Sequence, residues 1–224
     1  MDHLTLMADT HCRTFDIAPA EILIHAGDFC NAGTTTELRE QIEWLATLPA
    51  EHKVVIAGNH DMCLQRPGQR EPMLALFEKH GITYLEDSGC EVLGYKIWGS
   101  PYSPTYGRWA FMESDQELVE RFARIPQGID ILIVHGPPYG LGDWVPRGEH
   151  VGSRALVPHI ARVKPRLTVH GHIHECAGRW RHPHGGSCVN ASCGMRQVYE
   201  THNGQVFRAV AWGDPVVLSK GDMR

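Results

Sequence analysis

Short apolar runs that recur along the chain constrain its fold more than any other feature. Each run is four to six residues long and nearly all apolar. Runs this short and this continuously apolar are typical of strands buried on both faces, as in a sheet covered by helices. The predicted strands are Leu4–Met7, Ile22–Ala26, Lys53–Ala57, Asp130–His135 and Arg166–His170.

Helical patterns lie between these runs. Apolar residues at helical spacing follow Thr34, which is suited to cap a helix, and Pro158 predicts a kink in the last helix. The predicted helices are Thr34–Leu48, Pro72–Gly81, Ser114–Ile125 and Ser153–Val163. Glu91–Gly99 predicts a hairpin, and the glycine-rich segment Cys176–Trp212 predicts antiparallel strands. We therefore expect an α/β domain with a β-rich C-terminal part.

Size and charge narrow the class of protein. A chain of 224 residues fits a single domain over 1–224. A net charge of -5 without runs of like charge argues against long nucleic acid as a partner. No apolar stretch approaches the roughly 20 residues of a membrane span, so no membrane partner is expected. Seven scattered cysteines without a CxxC pair predict reduced thiols, and hence a cytoplasmic protein.

Side chains with metal or acid–base chemistry follow every one of the predicted strands. In an open α/β sheet, ligands bind just beyond the carboxyl ends of the strands. Each short pattern occurs alone in many proteins, but their repetition at equivalent places predicts one shared site. The candidates are Asp9, His11, Asp28, Asn59, His60, Asp61, His135, His172 and His174.

Hydrolysis at phosphorus assisted by two metal ions suits such a set. Two divalent ions, roughly 3.5 to 4 Å apart, can hold a hydroxide and two phosphate oxygens during an in-line displacement. Holding two cations so close requires a shared carboxylate, and Asp28 is the predicted bridge because it lies between the other candidates in sequence order. Neutral imidazoles and an amide oxygen keep the site from becoming too negative for phosphate.

These motifs resemble a known family. ADTH, GD, GNHD, HG and GHIH, from Asp9 to His174, resemble the five-block signature of the calcineurin-like metallophosphoesterase superfamily. ILIHAGDF, VVIAGNHD, GIDILIVHGPP, DWVP, GHIHE and VNAS resemble the metallophosphoesterase-domain-containing subfamily, whose members are phosphodiesterases for small substrates including cyclic nucleotides. The resemblance implies an α/β fold in the form of a four-layer α/β/β/α sandwich, with two mixed sheets flanked by helices. Periodicity alone does not distinguish this fold from a single doubly wound sheet.

The resemblance also implies roles for the candidates. One divalent ion is expected among Asp9, His11, Asp28 and His174, and the other among Asp28, Asn59, His135 and His172. His60 matches the family's catalytic histidine, which contacts the scissile phosphate and assists the leaving group. Asp61 is interpreted as support for protonated His60, or as a turn residue. The nucleophile is expected to be a metal-bridging hydroxide, and manganese is the preferred metal, with Fe, Zn, Ni, Co or Mg as alternatives.

Substrate contacts are expected from loops that border the site. Arg13 and Asn31 follow predicted ligands closely, so they are candidates for contact with phosphate or else solvated loop residues. Tyr102, Trp144 and Arg147 lie in proline-rich loops and are candidates for stacking on a base, or anchors of those loops.

The remaining histidines receive no role in binding. His25 and His170 lie within predicted strands, where a core or supporting position is expected. His182 and His184 are interpreted as part of a flexible hairpin tip.

The predicted function is a metal-dependent phosphodiesterase acting on a small phosphate ester such as a cyclic nucleotide. Alternatives are a phosphomonoesterase of broad specificity and a non-catalytic scaffold with the same fold. A nuclease is not favoured by the net charge of -5, and a protein phosphatase is not favoured because FCNAG follows Asp28 in place of a GDxxDRG block. The sequence leaves the oligomeric state open.

Overall fold

A computed structural model describes residues 3–202 and 205–219 of the chain. The strands in chain order are β1 (His3–Met7), β2 (Ala20–His25), β3 (Ala50–Val55), β4 (Ile82–Tyr84), β5 (Ser88–Val92), β6 (Tyr95–Ser100), β7 (Ser103–Pro104), β8 (Met112–Glu113), β9 (Ile131–Val134), β10 (Trp144–Val145), β11 (Glu149–His150), β12 (Leu167–His170), β13 (Gly178–Arg181), β14 (Ser187–Asn190), β15 (Met195–His202), β16 (Gln205–Trp212) and β17 (Val216–Ser219). The α-helices are α1 (Thr35–Thr47), α2 (Arg70–Lys79), α3 (Asp115–Phe122) and α4 (Leu156–Val163), and single 3₁₀ turns cover Met62–Gln65 and His174–Cys176.

Two mixed sheets contain all of the strands predicted from the apolar runs. In the first sheet the strand order is β17-β1-β2-β3-β4, with β1 to β4 parallel and β17 antiparallel at the edge. In the second sheet the order is β13-β14-β12-β9-β6-β5, with the four central strands parallel and an antiparallel strand at each edge. Both sheets therefore have a set of parallel carboxyl ends.

The two sheets pack face to face through alternate residues of their strands. Leu4 and Leu6 of β1 belong to the same buried cluster as Ile131 and Ile133 of β9. Side chains alternate between the faces of a strand, so the intervening residues point to the outer side of each sheet. Leu23 accordingly packs in a different cluster, among residues of α1 and α2.

Helices cover the outer faces of both sheets. Leu38 and Ile42 of α1 pack against the first sheet, and Phe77 of α2 lies in the same cluster. Leu118 of α3 and Ile160 of α4 pack with buried residues of β9 on the second sheet. The layers therefore run helix, sheet, sheet, helix, which confirms the predicted α/β/β/α sandwich.

The helices begin and end near their predicted limits. Thr34 caps α1 through a capping box with Glu37, as its position before the apolar pattern suggested. The kink expected at Pro158 is not needed, because α4 begins at Leu156 and places Pro158 in its first turn. There the missing N–H of proline interrupts no helical hydrogen bond.

The predicted β-rich segments are also found. Strands β5 and β6 form the hairpin expected around Glu91–Gly99, and its turn residues Leu93 and Gly94 both have positive φ. Antiparallel pairs β13–β14 and β15–β16 occupy the glycine-rich segment, although β14 also pairs in parallel with β12. Among the described residues, no helix combines the length and the apolarity needed to cross a membrane.

Candidate metal centre

The candidate site lies where the carboxyl ends of the two sheets meet. Asp9, Asp28 and Asn59 follow β1, β2 and β3 of the first sheet, whereas His135 and His172 follow β9 and β12 of the second. Backbone hydrogen bonds join the sheets at this edge. The Ala8 N–H donates to the Ala191 carbonyl at 2.9 Å, and the Cys193 N–H donates to the Ala8 carbonyl at 2.8 Å.

Left-handed backbone conformations concentrate at this edge. Asp9, His11, Asp28 and His172 have φ values of 55°, 46°, 60° and 69°. Residues with a side chain rarely adopt this region, and such conformations persist where the surrounding structure enforces them, often at functional sites. Here they turn the chain directly after strands whose ends carry the candidate donors.

Asp9, His11 and His174 form the first donor cluster. One potential ligand atom from each lies within 4.8 Å of the others. The His11 Nε2 and His174 Nε2 atoms are 3.3 Å apart, and His174 Nε2 is 3.6 Å from Asp9 Oδ1. Atoms that share one cation at ordinary bond lengths lie roughly 3 Å from one another, so this spacing fits a divalent ion.

Asp28, His135 and His172 form the second donor cluster, again within 4.8 Å of one another. The His172 Nδ1 and His135 Nε2 atoms are 3.2 Å apart, and Asn59 Oδ1 lies 2.9 Å from His135 Nε2. The Asn59 Nδ2 group is buried without a hydrogen-bond partner among the described residues. The Oδ1 atom, beside His135, is therefore the polar contact of this amide. An amide oxygen beside two imidazoles suits a divalent ion.

Asp28 connects the two clusters. Its Oδ2 atom is 3.9 Å from His11 Nε2 and 3.4 Å from His135 Nε2. Asp28 and His11 also group with His60 within 4.8 Å. The side chain chosen as the bridge from sequence order is thus the one that faces both clusters.

Buried charges explain the protonation of the site without metal. Burial alone would raise the pKa of Asp28, but His135 lowers it to about 2. Burial would also raise the pKa of Asp9, but His174 holds it well below its usual range. Burial lowers the pKa of His135, but Asp28 raises it to about 9. Burial also lowers the pKa of His172 to about 3. Ionised carboxylates beside a neutral imidazole are the forms that bind a cation, which would replace the His135 proton.

Two glycines allow the donor loops to approach each other. A Cβ atom at Gly58 would lie 2.6 Å from His135 Cε1 and would overlap the Asp28 carboxylate. A Cβ atom at Gly171 would overlap the Asp9 carboxylate in the same way. Neither position has room for a side chain, so the GNHD and GHIH motifs need glycine for steric reasons.

His60 is held at the edge of the clusters with a defined orientation. Its Nδ1–H donates to the Asn31 carbonyl at 2.7 Å, and its backbone N–H donates to Asp28 Oδ1 at 2.7 Å. The Trp109 ring packs on the imidazole with centroids 4.3 Å apart. Since the Asn31 carbonyl accepts the Nδ1 proton, the Nε2 atom is the ring nitrogen that can serve a substrate.

Asp61 is directed at the backbone, away from the role suggested beside His60. Its carboxylate accepts the N–H groups of Gly58, Asp28 and Cys30 at 2.8, 3.0 and 3.0 Å. Burial and the charge of Asp28 raise its pKa to about 7. The side chain ties the ends of β2 and β3 together, whereas a contact with the His60 imidazole is not found among the described residues. A catalytic role for Asp61 stays a prediction.

The predicted substrate residues differ in their placement. Asn31 is exposed, donates from Nδ2 to the His11 carbonyl at 3.0 Å and accepts the His60 proton on its own carbonyl. It therefore positions two site histidines. Arg13 is exposed and its guanidinium lies 5.9 Å from the Phe15 ring centroid, along the loop that leaves His11.

Tyr102 and Trp144 match the second of their two interpretations, as anchors of their loops, and other aromatic residues lie at the site. Tyr102 lies against the Arg121 guanidinium and contacts Glu86, so it anchors its loop. Trp144 packs on His150, with ring centroids 5.2 Å apart. Sequence reasoning missed Tyr106, which contacts His172, and Trp109 on His60. The sequence did offer a signal for them. Both lie in the aromatic segment that follows β6, and because β6 runs parallel to β9, this segment leaves the sheet at the same edge as His135.

Three other histidines are buried and structural. His25 stacks on Phe29, with a pKa that burial lowers to about 3, and burial lowers the pKa of His170 to about 4. His182 was expected in a flexible hairpin tip. This prediction is wrong for the His182 side chain, which is packed inside the protein. It is buried, 3.0 Å from the Thr168 hydroxyl.

The combination of this sandwich with paired donor clusters at one sheet edge is that of the metallophosphoesterase class. Residues 4–176 match the family described as calcineurin-like phosphoesterase. The chain belongs to this calcineurin-like metallophosphoesterase family. Membership implies a dinuclear centre of divalent metal ions.

Curated relatives are similar to this chain in sequence, and a solved structure shares its fold. The human metallophosphoesterase domain-containing protein 1 is 39% identical over 198 residues, covering 77% of this chain and 60% of that protein. The UPF0046 protein T07D4.2 of Caenorhabditis elegans is 35% identical, over 75% of this chain and 50% of that protein. The chain thus spans between half and two thirds of these relatives. The structure of TT1561 from Thermus thermophilus has a TM-score of 0.61 at 12% identity, covering 93% and 98% of the two chains, and shows the fold.

Proposed function

We propose that the protein is a dinuclear metal phosphodiesterase that hydrolyses small phosphodiesters, cyclic nucleotides among them. The observation that carries the proposal is the position of Asp28, whose Oδ2 atom faces His11 at 3.9 Å and His135 at 3.4 Å. A carboxylate between two nitrogen-rich clusters suits a pair of cations. Such a pair, when bound, neutralises the charge that builds up at phosphorus and makes a water molecule acidic enough to attack in line.

We assign the donors as the family motifs imply. One ion would be held by Asp9, His11, Asp28 and His174, and the other by Asp28, Asn59, His135 and His172. The support is the short spacing of their ligand atoms, from 2.9 Å between Asn59 and His135 to 3.9 Å between Asp28 and His11, and the burial of both carboxylates. Manganese is proposed as the working metal because nitrogen and oxygen donors in an open dinuclear site accept it readily, and Fe, Zn, Ni, Co and Mg are alternatives.

His60 is proposed as the general acid. The Asn31 carbonyl fixes the proton on Nδ1, and the packing of Trp109 on the ring limits its rotation. In the imidazolium form Nε2 carries a second proton, and it gives this proton to the leaving-group oxygen of a phosphate lying beside Asp28. A positioned histidine in this role contributes roughly 100- to 10,000-fold to the rate.

The experiment is hydrolysis of bis(p-nitrophenyl) phosphate by protein loaded with Mn²⁺. His60→Ala is expected to lower kcat by at least about 100-fold with unchanged metal content, measured by inductively coupled plasma mass spectrometry. His52→Ala is the matched control, because His52 is an exposed histidine near the start of β3. Equal loss of activity in both variants would contradict the assignment of His60.

Substrate class is decided by a panel of monoesters, diesters and 2′,3′- and 3′,5′-cyclic nucleotides. Rates that favour monoesters throughout would replace the proposal by a phosphomonoesterase. Metal binding without turnover of any ester would point to a scaffold, although all proposed donors and His60 are present. We also propose a cytoplasmic location, which the seven free thiols support.

A further inference from the structure

A cavity of about 510 Å³ lies beside α4, outside the donor clusters. Its three walls are one flank of α4, the loop of residues 138–141 and the tip of the β13–β14 hairpin. None of the described residues that line it is a proposed metal ligand. Its volume falls within the range of small-molecule sites, roughly 300 to 1,000 Å³. The cavity is therefore large enough for a ligand of its own.

Helix α4 has a second apolar flank, which faces this cavity. Leu156 and Val163 are buried against the second sheet, whereas Val157 and Ala161 line the cavity. These two residues are four apart, so they lie one above the other on the same side of the helix. Val157 is 42% exposed, and Leu141 continues the apolar surface on the facing loop. An exposed apolar flank inside a concave site favours a ligand with an apolar body.

Hydrogen bonds hold the other two walls in place. In the loop, Tyr139 donates its N–H to the Ser153 carbonyl at 3.1 Å. At the hairpin tip, His182 donates its N–H to the Gly186 carbonyl at 2.8 Å, and its Nε2 atom lies 3.0 Å from the Thr168 hydroxyl. Burial lowers the pKa of His182 to about 4, so this wall carries a neutral ring at neutral pH. The cavity is thus formed before a ligand arrives, which reduces the entropy cost of binding.

Two cationic side chains border the cavity, whereas its described lining contains no carboxylate. Lys164 is exposed and ends α4 in the left-handed conformation, with a φ of 53°. Arg181 is exposed on the hairpin and donates from Nη1 to the Gly185 carbonyl at 3.2 Å, which uses one of its five N–H donors. Cations on two walls, without an acidic residue between them, favour a ligand that carries negative charge.

We propose that this cavity is a second binding site, separate from the metal centre, for a small organic anion with an apolar body. The body packs along Val157 and Ala161, and the acidic group pairs with Lys164 and Arg181. Inorganic phosphate is a poor ligand for this cavity because it has nothing to cover the apolar flank. Neither bound metal nor phosphodiester hydrolysis is required, so the site adds a binding activity to the proposed function.

Two dyes that differ only by a sulfonate test the proposal: 8-anilinonaphthalene-1-sulfonate and its neutral analogue N-phenyl-1-naphthylamine. Both fluoresce more strongly in apolar surroundings, so the protein is titrated into a fixed concentration of each dye. Two exposed ion pairs should make the sulfonate bind roughly 2- to 30-fold tighter than the neutral dye. Lys164→Gln should weaken sulfonate binding by roughly two- to fivefold and leave the neutral dye unchanged. Lys79→Gln, at the exposed lysine that ends α2, is the matched control.

A charge placed on the apolar flank tests the other half of the site. Val157→Asp should weaken binding of both dyes by about tenfold or more, because an apolar body that covers the carboxylate would strip it of water. Val157 lies in the first turn of α4, where a carboxylate is favourable, so the variant should keep the wild-type unfolding free energy in urea. Val119→Asp is the matched control, because Val119 is an exposed valine of α3 outside the cavity lining.

Three results would overturn the proposal. The first is equal sulfonate affinity in Val157→Asp and Val119→Asp. The second is absence of sulfonate binding to the wild-type protein, or a neutral dye that binds as tightly as the sulfonate. The third is displacement of the sulfonate by Mn²⁺ together with inorganic phosphate, which would place the dye at the donor clusters. If urea unfolding shows that Val157→Asp is destabilised, the comparison of Lys164→Gln with Lys79→Gln decides.

Discussion

Replacing Gly58 by alanine should damage the metal centre more than the fold. The new Cβ atom would lie 2.6 Å from His135 Cε1 and would overlap the Asp28 carboxylate, whereas ordinary contacts begin near 3.4 Å. The Asp28 backbone nitrogen would lie 2.5 Å from the new atom, so both His135 and the chain at Asp28 must move by roughly 1 Å. Crowding of a packed site costs about 1–3 kcal/mol of unfolding free energy. A displacement of this size in a ligand or its support commonly costs roughly 10- to 100-fold in metal affinity or rate.

Gly68→Ala is the control for this prediction. Gly68 has a φ of 77° and open space around its Cα, so alanine there is strained without touching the site. Its expected cost is about 1–2 kcal/mol. Urea unfolding would compare the two variants in stability, and titration with Mn²⁺ followed by calorimetry would compare them in affinity. Wild-type Mn²⁺ affinity in Gly58→Ala would refute the reasoning, because it would mean that Asp28 and His135 need not keep their present spacing to bind metal.

Three further predictions follow from other contacts. Asp61→Asn should weaken Mn²⁺ binding but keep kcat at saturating Mn²⁺ within about tenfold, because Asp61 holds backbone N–H groups. Asp16→Asn is the control at an exposed aspartate. A kcat loss above about 100-fold at unchanged stability would favour the catalytic role of Asp61. Burial lowers the pKa of His25 to about 3, so the neutral imidazole contributes to the unfolding free energy above pH 6.5. This contribution is lost as the pH falls from about 6.5 towards 3, at up to about 1.4 kcal/mol per pH unit. Urea unfolding of metal-free protein from pH 7.5 to 4.5 should show a shallower loss for His25→Gln. Removal of metal with a chelator should lower the unfolding free energy by about 2.7 kcal/mol, compared with protein in Mn²⁺ at 100 times its Kd. An equal Tm with and without Mn²⁺ would contradict the assigned donors.

The sequence predicted the parts of the site that depend on local pattern. Continuous apolar runs located the strands, and the polar residues directly after them included every member of both donor clusters. Asp28 was predicted as the bridge because its strand lies between the others in chain order, and its carboxylate does face both clusters. This works because parallel strands place their carboxyl ends together whatever the details of the loops.

Features that depend on tertiary structure were not predictable. The positive φ values of Asp9 and Asp28 follow from the need to turn two strands towards one site, and neither residue type requires that conformation. Asp61 was assigned to its sequence neighbour His60, whereas its oxygens bind amides that include those of Asp28 and Cys30, far away along the chain. The burial of His182 likewise depends on packing beside Thr168 of β12.

The two sheets approach closely at the site because their inner residues become smaller towards it. In the first sheet the inward positions run from Leu4 and Leu6 to Ala8 along one strand, and from Ile24 to Ala26 along the next. On the facing sheet, Ala191 ends the corresponding row. Small residues let the two backbones come together, as the Ala8–Ala191 hydrogen bond of 2.9 Å shows. Donors from one sheet can then share a cation with donors from the other, so metal binding and the packing between the sheets stabilise the same edge of the molecule.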